Sequence, residues 1–181
     1  MAYDSPPHAT SGSVMIRPSV WNVVHSIAMG IACAIAYVIT SSMLFLAASR
    51  DDDLLGGMWA AVSAAFVFRD TQAHSLSAAA DRLIATCVSF ALCFLYVAIL
   101  PPSAVAIPIL VAAGALVITV LNRREDIITT AITTIVVMVV AIITPAHAWI
   151  QPILRFFDTL VGVGVGIGCR WAASTVLRRR D

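Results

Sequence analysis

From Val20 to Leu46 the chain runs without a single Asp, Glu, Lys or Arg, and the stretches Leu54 to Phe68, Leu83 to Leu100, Ala104 to Leu121 and Ile127 to Thr144 share this property. A sixth, Phe156 to Ala173, carries charge only near its ends, at Asp158 and Arg170. An α-helix rises 1.5 Å per residue, so roughly 18 to 20 apolar residues cross a hydrocarbon core of about 30 Å. Most of the six segments meet that length; Leu54 to Phe68 is the short one and reads as a short or tilted span. The expected fold is an all-α integral membrane protein with six transmembrane helices at about 20–46, 54–68, 83–100, 104–121, 127–144 and 156–173. Together these make one transmembrane domain over 20–173, between an N-terminal tail at 1–19 and a basic tail at 174–181.

Composition closes off the alternative of a water-soluble domain. The chain is 60% hydrophobic and 12% charged, against roughly 45 to 50% and about 25% in soluble domains. The first apolar stretch is longer than the roughly 7 to 15 residues of a signal-peptide core, so it reads as a retained helix. A formal net charge of +1 supports no reading as a nucleic-acid binder. Cys33, Cys87, Cys93 and Cys169 all fall in apolar segments, where cysteine packs as a small hydrophobe, and neither a disulfide framework nor a zinc spacing follows. His8, His25, His74 and His147 are scattered. No zinc-protease helix motif and no nucleophile elbow is present, so no metal, cofactor or enzymatic chemistry is expected.

Arginine placement sets an orientation. Arg17, Arg69, Arg82, Arg123, Arg124, Arg178, Arg179 and Arg180 fall on one side of the alternating segments, and only Arg50 and Arg155 on the other. Positive residues near helix ends are retained in the cytoplasm, which places both termini there. The outer connection Arg50-Asp51-Asp52-Asp53 is acidic, and Arg123-Arg124-Glu125-Asp126 reads most simply as helix capping.

The third and sixth segments open alike: Arg82, three residues, Thr86, two residues, Ser89, against Arg155, three residues, Thr159, two residues, Gly162. A unit of three helices ends on the opposite side of the membrane from its start. A second such unit is therefore inverted, as in many secondary transporters. Arg and Thr four apart share a helix face, and the small residue lets a neighbouring backbone approach. Two readings stay open. The arginines are either an anion site at each face, or they snorkel to the headgroups with Asp81 and Asp158 as local partners. Trp59 either belongs to an interfacial aromatic belt near the outer end of the second helix or stacks on an aromatic carboxylate. Asn22, His25 and Ser26 form a polar patch read as structural. Ser63, Thr129, Thr130, Thr133 and Thr134 either line a polar path or satisfy themselves on the carbonyl one turn back. Gly162, Gly164, Gly166 and Gly168 give two small-xxx-small pairs suited to close packing in lipid.

With Gly57-Met58-Trp59-Ala60, Arg82-x-x-x-Thr86, and Thr130 to Pro145 followed by Arg155-x-x-x-Thr159-x-x-Gly162, the chain resembles the fusaric acid resistance and aromatic acid exporter superfamily over roughly Leu55 to Arg170. Ala85, Ser89 and Asp158 stand where that pattern has glycines. The resemblance implies export or conduction of organic anions, aromatic ones among them, across a bacterial inner membrane. Arg82 and Arg155 would attract the carboxylate, with Thr86, Thr159 and Trp59 supporting. It also implies membrane lipid and a small organic anion as partners, and a homodimer is expected because six short helices leave little room for a pore within one bundle. A non-transporting scaffold or accessory subunit is the competing expectation. No span is read as holding a buried carboxylate that could carry a proton, so energy coupling stays open and a channel stands beside a carrier.

Overall fold

The computed structural model describes residues 20–43, 50–69, 71–145 and 148–178. The expected tails at 1–19 and 179–181, with Arg17, Arg179 and Arg180, lie outside the described residues, as do His8 and His147. Among the described residues six α-helices follow one another: α1 Val20–Met43, α2 Arg50–Val67, α3 Gln72–Ile99, α4 Ala106–Val120, α5 Ile127–Ile143 and α6 Ile150–Arg178. A 3₁₀ turn, Arg124–Asp126, leads into α5. No strand is present among the described residues. Four spans are long and apolar enough to cross a membrane, Asn22–Ser42, Gln72–Ile99, Arg124–Ile143 and Ile150–Thr175. Leu54–Val67 and Ala106–Val120 are shorter apolar helices.

Helix ends depart from the charge-free runs in an instructive way. The third helix begins at Gln72 rather than near Leu83, capped by the Thr71 side chain, which accepts from the His74 amide at 3.2 Å. Its first turns are polar yet rich in alanine, the best helix former, so the backbone stays helical well before the apolar run begins. The second helix likewise takes in Arg50-Asp51-Asp52-Asp53, expected as a loop. The sixth begins at Ile150, with Pro152 in its first turn, where a missing N–H leaves nothing unsatisfied. At the end of α4, Asn122 adopts a left-handed φ of 59°. The Arg123 amide then donates to Ile118 O at 3.1 Å and the Asn122 amide to Thr119 O at 3.0 Å. This paired closure of the last carbonyls turns the chain sharply towards α5.

Helix α1 packs on α2 and α6, α2 on α6, α3 on α6 and α5, and α4 on α5 and α3. Ala36, Ala60 and Ala64 fill the seam of α1, α2 and α6, with Val165 against them. Cys93, Ala106, Leu110, Val137 and Met138 fill that of α3, α4 and α5. Such small residues let backbones approach, which is how helices associate where lipid removes the hydrophobic driving force. The four cysteines are free thiols. The polarity is inverted relative to a soluble protein. Ile27, Leu95, Val120 and Ile128 are exposed, while Arg82, Arg155, Asp158, Gln151 and a set of Ser and Thr hydroxyls are buried. Apolar outside and polar inside is the arrangement a hydrocarbon solvent selects.

Candidate functional site

All five residues singled out by sequence are buried, and the packing of α2 with α3 and α6 brings Arg82 and Thr159 onto Trp59. The reason begins with two glycines. At Gly162 a Cβ would collide with the carbonyl oxygen of Ala60, and at Gly166 it would stand 3.0 Å from Ala64 O. Helices α2 and α6 therefore run parallel in near backbone contact, and the larger side chains next to that seam are forced into its flanks. Trp59 is one of them. Its indole Nε1 donates to Thr159 Oγ1 at 3.0 Å, while the Thr159 hydroxyl donates to Arg155 O at 2.8 Å. The belt position expected for Trp59 is thereby corrected: it lies in the middle of α2, 4% exposed.

The Arg82 guanidinium sits over Trp59 and Phe66, its Cζ 5.0 Å from each ring centroid. Nη2 donates to Ser63 Oγ at 3.4 Å. Trp59, Ser63 and Phe66 are one or two turns apart on α2, so they form a single concave face against α3. Thr86 Oγ1 donates to Arg82 O at 2.8 Å, as Thr159 does to Arg155 O, and so holds its helix rather than offering a donor to the site. Arg82 is 2% exposed and lies about ten residues inside α3, which corrects its expected place at a helix start and removes the snorkelling reading. Nor does it pair with Asp81, whose carboxylate accepts from Arg123 Nη1 at 2.6 Å. Among the described residues no carboxylate stands within ion-pair distance of Arg82, and its Nε is buried without a hydrogen-bond partner.

Arg155 is arranged differently. Its Nη1 lies 2.9 Å from Asp158 Oδ2, both residues about 1% exposed. Gly56 makes room for that carboxylate, since a Cβ there would come 3.0 Å from Asp158 Oδ1. Asp158 overturns the expectation that no span holds a buried carboxylate. The sequence signal was present in the Arg155 to Asp158 spacing, one turn apart within an apolar run. Gly56 and Ser63 contact the two sites seven residues apart on α2, about 10 Å along its axis, with Trp59 between them.

A cavity of about 190 Å³ leads to Arg82 from the end of the bundle where α2 finishes and α3 begins. Phe66, Arg69, Ala78, Asp81, Arg82, Glu125, Asp126 and Thr129 line it. Arg155 is not part of it, so the two arginines are not equivalent as presented. Phe66 escaped the sequence reading and Asp126 was read only as a helix cap, a role in which its side chain makes no cap bond, because nothing local marks a residue that faces a site only through the packing of other helices. Of the helix 5 hydroxyls, Thr130 and Thr133 donate one turn back, to Asp126 O and Thr129 O, while Thr134 reaches Ser89 Oγ at 3.1 Å. The polar patch on α1 is a local bond, Ser26 Oγ to Asn22 O at 2.8 Å, with the His25 ring 5.0 Å from that of Phe68.

Trp59→Phe keeps the ring under Arg82 but removes the donor to Thr159. We expect about 1 to 2 kcal/mol of lost stability in detergent unfolding, with Thr159→Val adding little on top because both remove one bond.

Buried polar groups inside an apolar-surfaced bundle of helices long enough to cross a bilayer define a multi-pass membrane protein. The chain belongs to the fusaric acid resistance protein-like family, whose sequence profile matches residues 31–169, from the middle of α1 to near the end of α6. No curated protein and no solved structure matches it.

Proposed function

We propose that this protein moves small organic anions, aromatic carboxylates among them, out of the cytoplasm across a bacterial inner membrane, with Arg82 as the group that binds the anion. The observation that carries the reading is a buried guanidinium at the inner wall of a cavity, without a carboxylate partner among the described residues. Burying an unpaired charge is costly, and an incoming carboxylate supplies the missing partner. A planar guanidinium suits a carboxylate bidentately. The volume fits as well, since a cavity of about 150 Å³ accommodates a benzene ring.

Inverted symmetry between the two helical triplets is part of the proposal, and contacts along the two inner seams support it. Gly162 and Gly166 of α6 lie against the carbonyls of Ala60 and Ala64 in α2. Ser89 of α3 donates to Thr130 O of α5 at 3.0 Å, and Cys93 Sγ lies 4.0 Å from Thr134 O. Both seams thus advance by a four-residue step, each joining the second helix of one triplet to the third of the other. Under the arginine count, the cavity mouth and both termini face the cytoplasm. Trp59 would then close the way outward, and Arg155 with Asp158 would lie beyond it.

The test is flux of labelled benzoate in proteoliposomes. Arg82→Ala should lower it at least tenfold, the loss of one charge-assisted contact, with Arg82→Lys recovering part. Equal flux for native, Arg82→Ala and empty vesicles would favour a non-transporting scaffold.

A further inference from the structure

The two inner seams share a register, and it extends to the level of the arginines. On α2 and α6 the rungs are Ala64 with Gly166 and Ala60 with Gly162, and one turn earlier Gly56 faces Asp158, whose Oδ1 a Cβ at Gly56 would approach to 3.0 Å. On α3 and α5 the rungs are Cys93 with Thr134 and Ser89 with Thr130. One turn earlier on these two helices stand Ala85 and Asp126. The turn carrying Asp126 packs on α3, and the Thr130 hydroxyl donates to Asp126 O at 2.9 Å, so the helical step holds down to that residue. Each terminal rung thus pairs one carboxylate with one small residue, and both lie three residues beyond an arginine, Arg155 before Asp158 and Arg82 before Ala85. The two rungs differ in which helix supplies the acid. Asp158 is on the same helix as its arginine, whereas Asp126 is on the helix that faces Arg82.

The rung of Asp158 is closed, with the carboxylate 2.9 Å from Arg155 Nη1. The rung of Asp126 is open. Its side chain is 5% exposed, yet its Oδ2 has no hydrogen-bond partner among the described residues. Its cationic neighbour Arg123 is 3.7 Å away, with the same Nη1 held closer by Asp81 at 2.6 Å. Arg82 and Asp126 line one cavity. We propose that Asp126 is the gating residue of the transport cycle: once the anion has left, Asp126 moves from Arg123 onto Arg82, and the empty protein changes conformation with that pair closed. This rests on the assignment of Arg82 as the anion-binding group and on the inverted relation of the two triplets.

The physical reason is charge. In the loaded protein the transported carboxylate neutralises Arg82, and Asp126 stays beside Arg123. In the empty protein, closing the cavity would shut a bare guanidinium away from water, which is costly without a partner. Asp126 removes that cost and gives up little, because Asp81 already satisfies Arg123. The short side chain of Ala85 leaves room beside α5, as Gly56 does for Asp158 on α6. Arg82 is therefore never enclosed alone: the anion or Asp126 covers it, and the two compete for one guanidinium.

The experiment compares two fluxes of labelled benzoate from proteoliposomes that hold the full chain. Net efflux into benzoate-free buffer requires the empty protein to return, whereas exchange against external benzoate requires only the loaded form. Asp126→Asn should lower net efflux about tenfold or more and leave exchange within about twofold of native, because only the empty form loses its partner. Calorimetric benzoate binding in nanodiscs should tighten by about threefold or more in the same variant, which also shows that it is folded; Asp126→Ser takes its place if it does not fold. Glu125→Gln, which removes a negative charge from the same cavity but from an exposed side chain, should leave both fluxes native. Ala85→Asp combined with Asp126→Gly transplants the arrangement of Asp158 and Gly56 to Arg82 and should restore net efflux. Native net efflux in the folded Asp126 variant would overturn the proposal, as would an equal fall of both fluxes or a transplant that restores nothing. Arg82→Ala separates the two layers. Loss of benzoate binding there upholds the anion assignment whatever Asp126 does, whereas retained binding overturns that assignment itself.

Discussion

Asp158→Ala is expected to destabilise the bundle by about 3 to 5 kcal/mol, one of the largest effects of any single substitution in this chain. The carboxylate lies 2.9 Å from Arg155 Nη1, and both side chains are about 1% exposed. Removing it takes one carboxylate partner from a buried guanidinium, so the attraction across 2.9 Å is lost while the desolvation cost of the charge remains. The paired substitution Arg155→Met with Asp158→Leu should recover most of the loss, since an apolar pair of similar volume does not incur that cost. Unfolding of all variants in mixed detergent micelles measures this, and a double-mutant cycle isolates the coupling. A single variant Asp158→Ala within about 1 kcal/mol of native would show that the pair contributes nothing to the fold.

Gly162→Ala is the second, with an expected loss of about 1 to 3 kcal/mol and disruption of the site beside it. The added methyl group would collide with Ala60 O and stand 2.8 Å from Ser63 Cβ and 3.0 Å from Ala60 C. Two of these three are backbone atoms, which cannot rotate away, so α2 and α6 must separate. Separation pulls Trp59 from Thr159 and shifts Ser63 from under Arg82, so anion binding should fall along with stability. Gly164→Ala and Gly168→Ala provide the contrast. Neither would meet an atom within 4 Å, and both should be neutral or stabilise by up to about 1 kcal/mol through helix propensity. All three substitutions behaving alike would contradict the close α2 to α6 contact.

Much of the site was legible in the chain before any coordinates. The spacing shared by Arg82, Thr86 and Ser89 with Arg155, Thr159 and Gly162 pointed to the two helices that supply both arginines, and Trp59 was named alongside them. Helix periodicity carries that information, because residues three and four apart must share a face. The same reasoning failed on depth. Charge-free runs mark only the apolar part of a helix, so Arg82 read as a terminal residue although α3 begins at Gln72. Burial depends on which neighbours cover a face, and neither Phe66 over Arg82 nor Asp126 in the cavity wall has a local signature.

The sequence by itself determined that the chain is helical and lives in lipid, because long runs without charge leave backbone groups no solvent but their own helix. It also determined which arginines are exceptional, since a charge inside or beside such a run needs a reason. Only the tertiary structure decided that those arginines differ: Arg155 is paired with Asp158, and Arg82 is stacked on Trp59 and Phe66 at the wall of a cavity. That difference arises from the contact of α2 with α3 and α6, between residues 16 to 102 positions apart, and no local pattern encodes pairing over such separations.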